Sequence, residues 1–79
     1  MTSDPGVLEP ARVLARLTLE QLWFNYFAIG GGSSVDRIAE YLSGAAVPSD
    51  LEYDHLAQAI NDRFVELGLD HPVPYSRRP

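Results

Sequence analysis

The side chains best suited to proton transfer or metal binding are the two histidines. His55 follows Asp54 and His71 follows Asp70. An imidazole beside a carboxylate serves general acid–base catalysis and metal coordination alike. Here the spacing favours neither. The histidines lie sixteen positions apart. Neighbours on a helix point about 100° apart, so Asp54 and His55 belong to different faces. The sequence has no His-x-x-x-His, no Glu-x-x-His, no glycine-rich phosphate loop and no cysteine. No catalytic residue, metal ligand or cofactor is assigned, and the chain is not expected to be an enzyme. His55 reads as exposed, and His71 as part of a turn before Pro72.

Ser33 is the next candidate. It closes the string Tyr26-Phe27-Ala28-Ile29-Gly30-Gly31-Gly32-Ser33. That string resembles the motif of acyl and peptidyl carrier domains, in which aromatics, an aliphatic residue and a glycine pair precede a serine that opens a helix. The resemblance implies phosphopantetheine on Ser33. The string departs from that motif at Gly32 and Ser34, which flank the serine where the family has Asp or His before it and Leu or Ile after it. The aromatics also continue a helical stripe instead of following a long loop. A glycine helix end followed by a serine helix start accounts for the same residues. A helix-turn-helix is a further alternative, built from 34–42 and 49–64. Its connector exceeds the usual three or four residues. Its second helix opens with Asp50, Glu52 and Asp54, where base- and phosphate-contacting side chains belong.

The aromatic residues carry more information. Trp23-Phe24 and Tyr26-Phe27 are two adjacent pairs in a chain of 79 residues. Each pair spans about 100° of a helix, and an apolar stripe facing one core is only slightly wider than that. One core cannot take all four rings fully unless the arm before Thr18 covers the excess. Phe24, with Trp23 and Tyr26, is the expected partner surface, because aromatic and arginine side chains concentrate in binding hot spots. Arg12, Arg16 or the acidic turn near Asp50 would form its polar rim. The expected partner is a protein or a second copy of the chain in a homodimer.

Three helices must position these rings. Thr18 and Gln21 form a Ser/Thr-x-x-Glu/Gln capping box ahead of Leu19, Leu22, Trp23, Tyr26 and Phe27. Gly30-Gly31-Gly32 ends this first main helix. Ser33 is placed to cap the second, with stripe Val35, Ile38, Ala39 and Leu42 and Gly44 as its terminator. Ser49 and Glu52 open the third, which carries Tyr53, Leu56, Ala57, Ile60, Phe64 and Leu67. Gly68-Leu69 reads as a Schellman ending. The expectation is an all-α bundle with main helices over about 18–29, 34–43 and 50–67, and a short leading helix over 11–17. Residues 1–17 form an N-terminal arm, 18–70 the helical core and 71–79 a proline-rich tail. Leu22, Trp23, Phe27, Ile38, Leu42, Leu56, Ile60 and Phe64 are the expected core.

Charge narrows the partners. Eleven acids face six arginines, with no lysine, for a net charge of −5. Between Thr18 and Asp70, nine acids face Arg37 and Arg63 alone, which makes that stretch −7. Nucleic-acid binding needs a basic face to displace phosphate counterions, so none is expected. The same charge disfavours anionic membranes. No apolar run reaches the roughly 20 residues that span a bilayer. The start Met-Thr-Ser-Asp-Pro-Gly lacks a basic, apolar leader. The expected location is the cytoplasm.

Two longer patterns carry a family resemblance. Glu20-Gln21-Leu22-Trp23 runs on to Tyr26-Phe27-Ala28-Ile29-Gly30-Gly31. Tyr53 to Phe64 contains Ala57-Gln58-Ala59-Ile60-Asn61-Asp62-Arg63-Phe64, and Gly68-Leu69-Asp70-His71-Pro72 follows. Together they resemble short actinobacterial helical proteins with the outline Glu-Leu-Trp-x-x-Tyr-Phe-x-x-Gly-Gly and Ala-x-Ala-x-Asn-x-Arg-Phe. The resemblance covers about Thr18 to Tyr75. It implies a source and a compact unit, and supplies no site residues. The overall expectation is a non-enzymatic protein-interaction module in bacterial regulation.

Overall fold

The computed structural model describes residues 5–69 and 73–75. Among them, a 3-10 turn at Pro5–Val7 leads into four α-helices: α1 Leu8–Leu14, α2 Leu19–Ala28, α3 Val35–Ser43 and α4 Asp50–Glu66. The described residues include no strand. The three main helices, α2 to α4, lie within one residue of the bounds read from the sequence. The leading helix does not. It starts at Leu8, ahead of Ala11, and stops at Leu14. Pro10 is its third residue, where a missing N–H costs nothing because the first four amides of a helix have no internal acceptor.

Local chemistry sets the starts. Thr18 Oγ1 accepts from the Gln21 amide at 3.1 Å, and the Gln21 side chain accepts from the Thr18 amide at 2.9 Å. Both halves of the capping box are therefore present. Helix α3 is capped by Ser34, not Ser33: Ser34 Oγ accepts from the Arg37 amide at 3.2 Å. Ser49 Oγ accepts from the Glu52 amide at 3.1 Å. The Glu52 carboxylate reaches elsewhere.

Three helix ends share one geometry. A residue with positive φ donates its amide to a carbonyl three back, and the next residue donates to one five back. At α2 these are Gly30 (φ 106°) and Gly31, and at α4 they are Gly68 (φ 76°) and Leu69. At α1 they are Arg16 (φ 59°) and Leu17. Such Schellman ends favour glycine, which has no β-carbon to clash in the left-handed region. Arg16 is the only non-glycine residue with positive φ among the described residues.

Helix α2 packs mainly on α4 and then on α3, and α1 lies against α4 and α3. Leu22, Ile38, Leu56, Ile60 and Phe64 are buried as expected. Trp23 and Leu42 are only partly buried. Phe27 is a correction: it is 57% exposed, while its neighbour Tyr26 is fully enclosed. Leu8, Ala11, Ala15 and Leu17 join the core, so α1 and the turn after it help close the bundle. Of the tail, Val73 is buried and Tyr75 is exposed. The Asn61 amide donates to the Val73 carbonyl at 2.9 Å, and the Tyr53 hydroxyl donates to the Pro74 carbonyl at 2.8 Å. His71 and Arg77-Arg78-Pro79 lie outside the described residues.

Candidate functional site

The face of α2 is shaped by a polar tie beneath it. The enclosed Tyr26 hydroxyl donates to Glu52 Oε1 and accepts from the Ser33 amide, the latter at 2.8 Å. Ser33 Oγ donates to Glu52 Oε2 at 2.7 Å. The Trp23 indole N–H donates to the Ser33 carbonyl at 3.0 Å. One carboxylate on the first turn of α4 thus holds the end of α2 and the loop into α3. All three polar groups of Ser33 are engaged, which leaves its neighbour Ser34 to cap α3. Gly31 is needed in this loop because a β-carbon there would collide with the Tyr26 ring. Burial, reinforced by the Glu52 hydrogen bond, raises the Tyr26 pKa above the ordinary phenol value. His55 is half-buried rather than exposed, and its ring meets Tyr26 edge-on with centroids 6.1 Å apart.

Above the tie lies an aromatic surface. Phe24 is 64% exposed. Trp23 stacks on the exposed Phe27 with ring centroids 5.4 Å apart. An open groove of about 650 Å³ runs along this face, lined by Leu17, Trp23, Phe24 and Val35, with Glu20, Arg63 and Glu66 as its charged members. Arg63 is committed internally: it donates to the Ala15 carbonyl at 3.3 Å and pairs with Glu66 at 3.2 Å.

The expected site residues separate on this geometry. Phe24 and Trp23 line the groove. Tyr26 does not reach the surface, because the burial that creates the tie turns it inward. Arg12 is drawn away from the rim. It pairs with Glu9 through two hydrogen bonds of 2.7 and 2.6 Å and donates to the Leu17 carbonyl at 2.6 Å. Its place is a smaller pocket of about 220 Å³ between α1 and α3, shared with Leu19, Ala39 and Leu42. The hydrogen bonds from Arg12 hold the Glu9 carboxyl below its usual pKa. Arg16 is exposed and carries no ion pair among the described residues. Asp50 is exposed on the first turn of α4. Glu52 was legible only as a capping partner. Its contact with Tyr26 spans 26 residues, which no local pattern announces.

Among the described residues, no group of three or more His, Asp or Glu side chains is placed to hold a metal ion. No described helix is long and apolar enough to cross a membrane. No family model, curated protein or solved structure matches the chain, so its own residues carry the functional reading.

Proposed function

We propose that this chain is a non-enzymatic helical module that binds protein through the outer face of α2, and that it acts as a bacterial regulator or adaptor in the cytoplasm. The observation that carries this reading is the outward display of Phe24 and Phe27 beside a groove, on a helix whose inward face is already filled by Leu22 and Tyr26. Large apolar side chains gathered beside a groove mark an interaction surface more often than scattered ones do. The carrier reading draws less support, since the Ser33 hydroxyl is engaged with Glu52 and lies ahead of the α3 cap.

The test is Phe24→Ala. Burying one aromatic side chain is worth about 1.5–3 kcal/mol, so its loss weakens binding roughly tenfold or more. The tagged chain and its Phe24→Ala form are compared for thermal melting and for quantitative protein capture from a bacterial lysate. The expected outcome is an unchanged melting temperature with reduced capture. A strongly destabilised Phe24→Ala protein would instead make Phe24 a structural residue and remove the surface.

A further inference from the structure

The aromatic face of α2 is bordered by acid. Leu17, Trp23, Phe24 and Val35 give the groove its apolar lining, and its charged members are Glu20, Glu66 and Arg63. Arg63 is taken up within the chain, by the Ala15 carbonyl and by Glu66. Arg16 is not among the lining residues. Glu20 is exposed on the first turn of α2 and carries no ion pair among the described residues. Asp62 is exposed one turn before Glu66, on the same face of α4, and also carries no ion pair among the described residues. A partner entering the groove therefore meets carboxylates on both α2 and α4, and no uncommitted cation in the lining. The wider field has the same sign, since nine acids face two arginines between Thr18 and Asp70.

We infer that the groove takes a basic amphipathic helix from a different protein, with its apolar stripe over Trp23 and Phe24 and its lysines or arginines toward Glu20, Glu66 and Asp62. The inference rests on the reading of the α2 face as a protein-binding surface and names its occupant. Charge selects the sign. A second copy of this chain would bring a net charge of −5 against the same acids, and like charges brought together oppose association. Geometry selects the helix. An extended segment relies on a sheet edge or on side-chain donors to hold its backbone. The described residues include no strand, and the Trp23 N–H is already given to the Ser33 carbonyl. A helix satisfies its own backbone. It asks the groove only for side-chain contact, through anchors one turn apart on one face.

The probe is a displayed library of amphipathic peptides about five helical turns long. Leucine, isoleucine, valine, methionine or phenylalanine stands at helical spacing. Every other position encodes lysine or glutamate equally, so the library is neutral on average before selection. It is panned on the full chain, with circular dichroism confirming that each variant is folded. Selection is expected to enrich lysine, and the selected peptides should bind more weakly as salt rises. Glu20→Arg should weaken them about threefold to tenfold. Glu40→Arg makes the same change in net charge outside the groove lining and should weaken them less than about twofold. Phe24→Ala should weaken them about tenfold or more, and a proline at the centre of a selected peptide should abolish its binding. Enrichment of glutamate, enrichment blind to charge, equal losses from Glu20→Arg and Glu40→Arg, or a proline form that binds as well as its parent would each overturn the proposal. A chain that sediments as a dimer broken by Phe24→Ala would overturn it in favour of a second copy. Acidic or neutral peptides that still lose binding with Phe24→Ala would overturn the basic helix and leave the α2 face standing. Selected peptides held equally by wild type and Phe24→Ala would remove the α2 face itself. If no peptide is enriched, the basic helix is overturned, and Phe24-dependent capture from lysate still upholds the face.

Discussion

Arg16 shows how a single residue can work against the backbone that holds it. The left-handed region costs a residue with a β-carbon about 1–2 kcal/mol, and α1 ends there with φ 59°. Arg16→Gly removes that cost. Glycine's extra freedom in the unfolded chain returns about 0.4–1 kcal/mol, so a net gain of about 0.5–1 kcal/mol is expected, read by urea unfolding. Residue-scale features differ in how far sequence reveals them. Thr18 with Gln21 and Gly68 with Leu69 were legible, because each acts within a few residues and its chemistry is specific to its type. Arg16 was not, since nothing in an arginine announces a left-handed φ. Ser33 and Ser34 were ambiguous for a related reason. Either hydroxyl suits a cap, and the choice is made by Tyr26, Glu52 and Trp23, which occupy Ser33 completely.

For α2 as an element, periodicity located the stripe but not its centre. Leu19, Leu22, Trp23, Tyr26 and Phe27 share one side of a wheel, and a rotation of some tens of degrees decides which flank goes inward. The structure centres the buried face on Leu22 and Tyr26, so Phe27 moves out and Trp23 lies at the margin. Tyr26 is drawn in because α4 offers a carboxylate for its hydroxyl, and a buried phenol without such an acceptor would be costly. Glu52 is therefore the fastener between α2, the following loop and α4. Glu52→Ala should destabilise the protein by about 1–3 kcal/mol, the cost of leaving a buried polar group unsatisfied. Glu52→Gln, which keeps an acceptor, should cost less. Pairing Glu52→Ala with Tyr26→Phe in a double-mutant cycle should give less than the sum of the two losses, because the hydroxyl left stranded by the first change is absent in the second.

At the scale of the whole molecule, the chain closes its core with four helices where three were clear in the sequence. Helix α1 was the hard one. It is seven residues long, contains a proline and buries only Leu8 and Ala11, with Ala15 buried just past its end. Residue type does not separate its two faces: Leu8 and Ala11 are buried, while the equally apolar Val13 and Leu14 are exposed. The pH response of the assembled molecule follows from two groups. Glu9 has a lowered folded-state pKa because Arg12 hydrogen-bonds its carboxylate. Its stabilisation is present above the unfolded carboxyl value and is lost as pH falls through the lower folded one, a small effect for a partly exposed pair. Tyr26 has a raised pKa, from burial and then from the hydrogen bond to Glu52. Its contribution is full below the unfolded phenol value of 10.0 and declines as pH rises past it toward the folded value. Thermal melting across the alkaline range should therefore show a loss of stability that Tyr26→Phe diminishes, and ultraviolet titration should show a late-ionising phenol missing from that variant.

Trp23 is the sole tryptophan of the chain, and its setting makes the molecule its own optical instrument. The indole N–H is fastened to the Ser33 carbonyl on the inner side, while the ring stacks on Phe27 at the edge of the groove. Its emission colour therefore responds to water at that edge. Covering the α2 face should dry the ring and shift emission to the blue, and unfolding, which frees the indole from Ser33 as well, should shift it to the red. Docking and denaturation are thus told apart by the direction of one spectral change, with no dye or label attached.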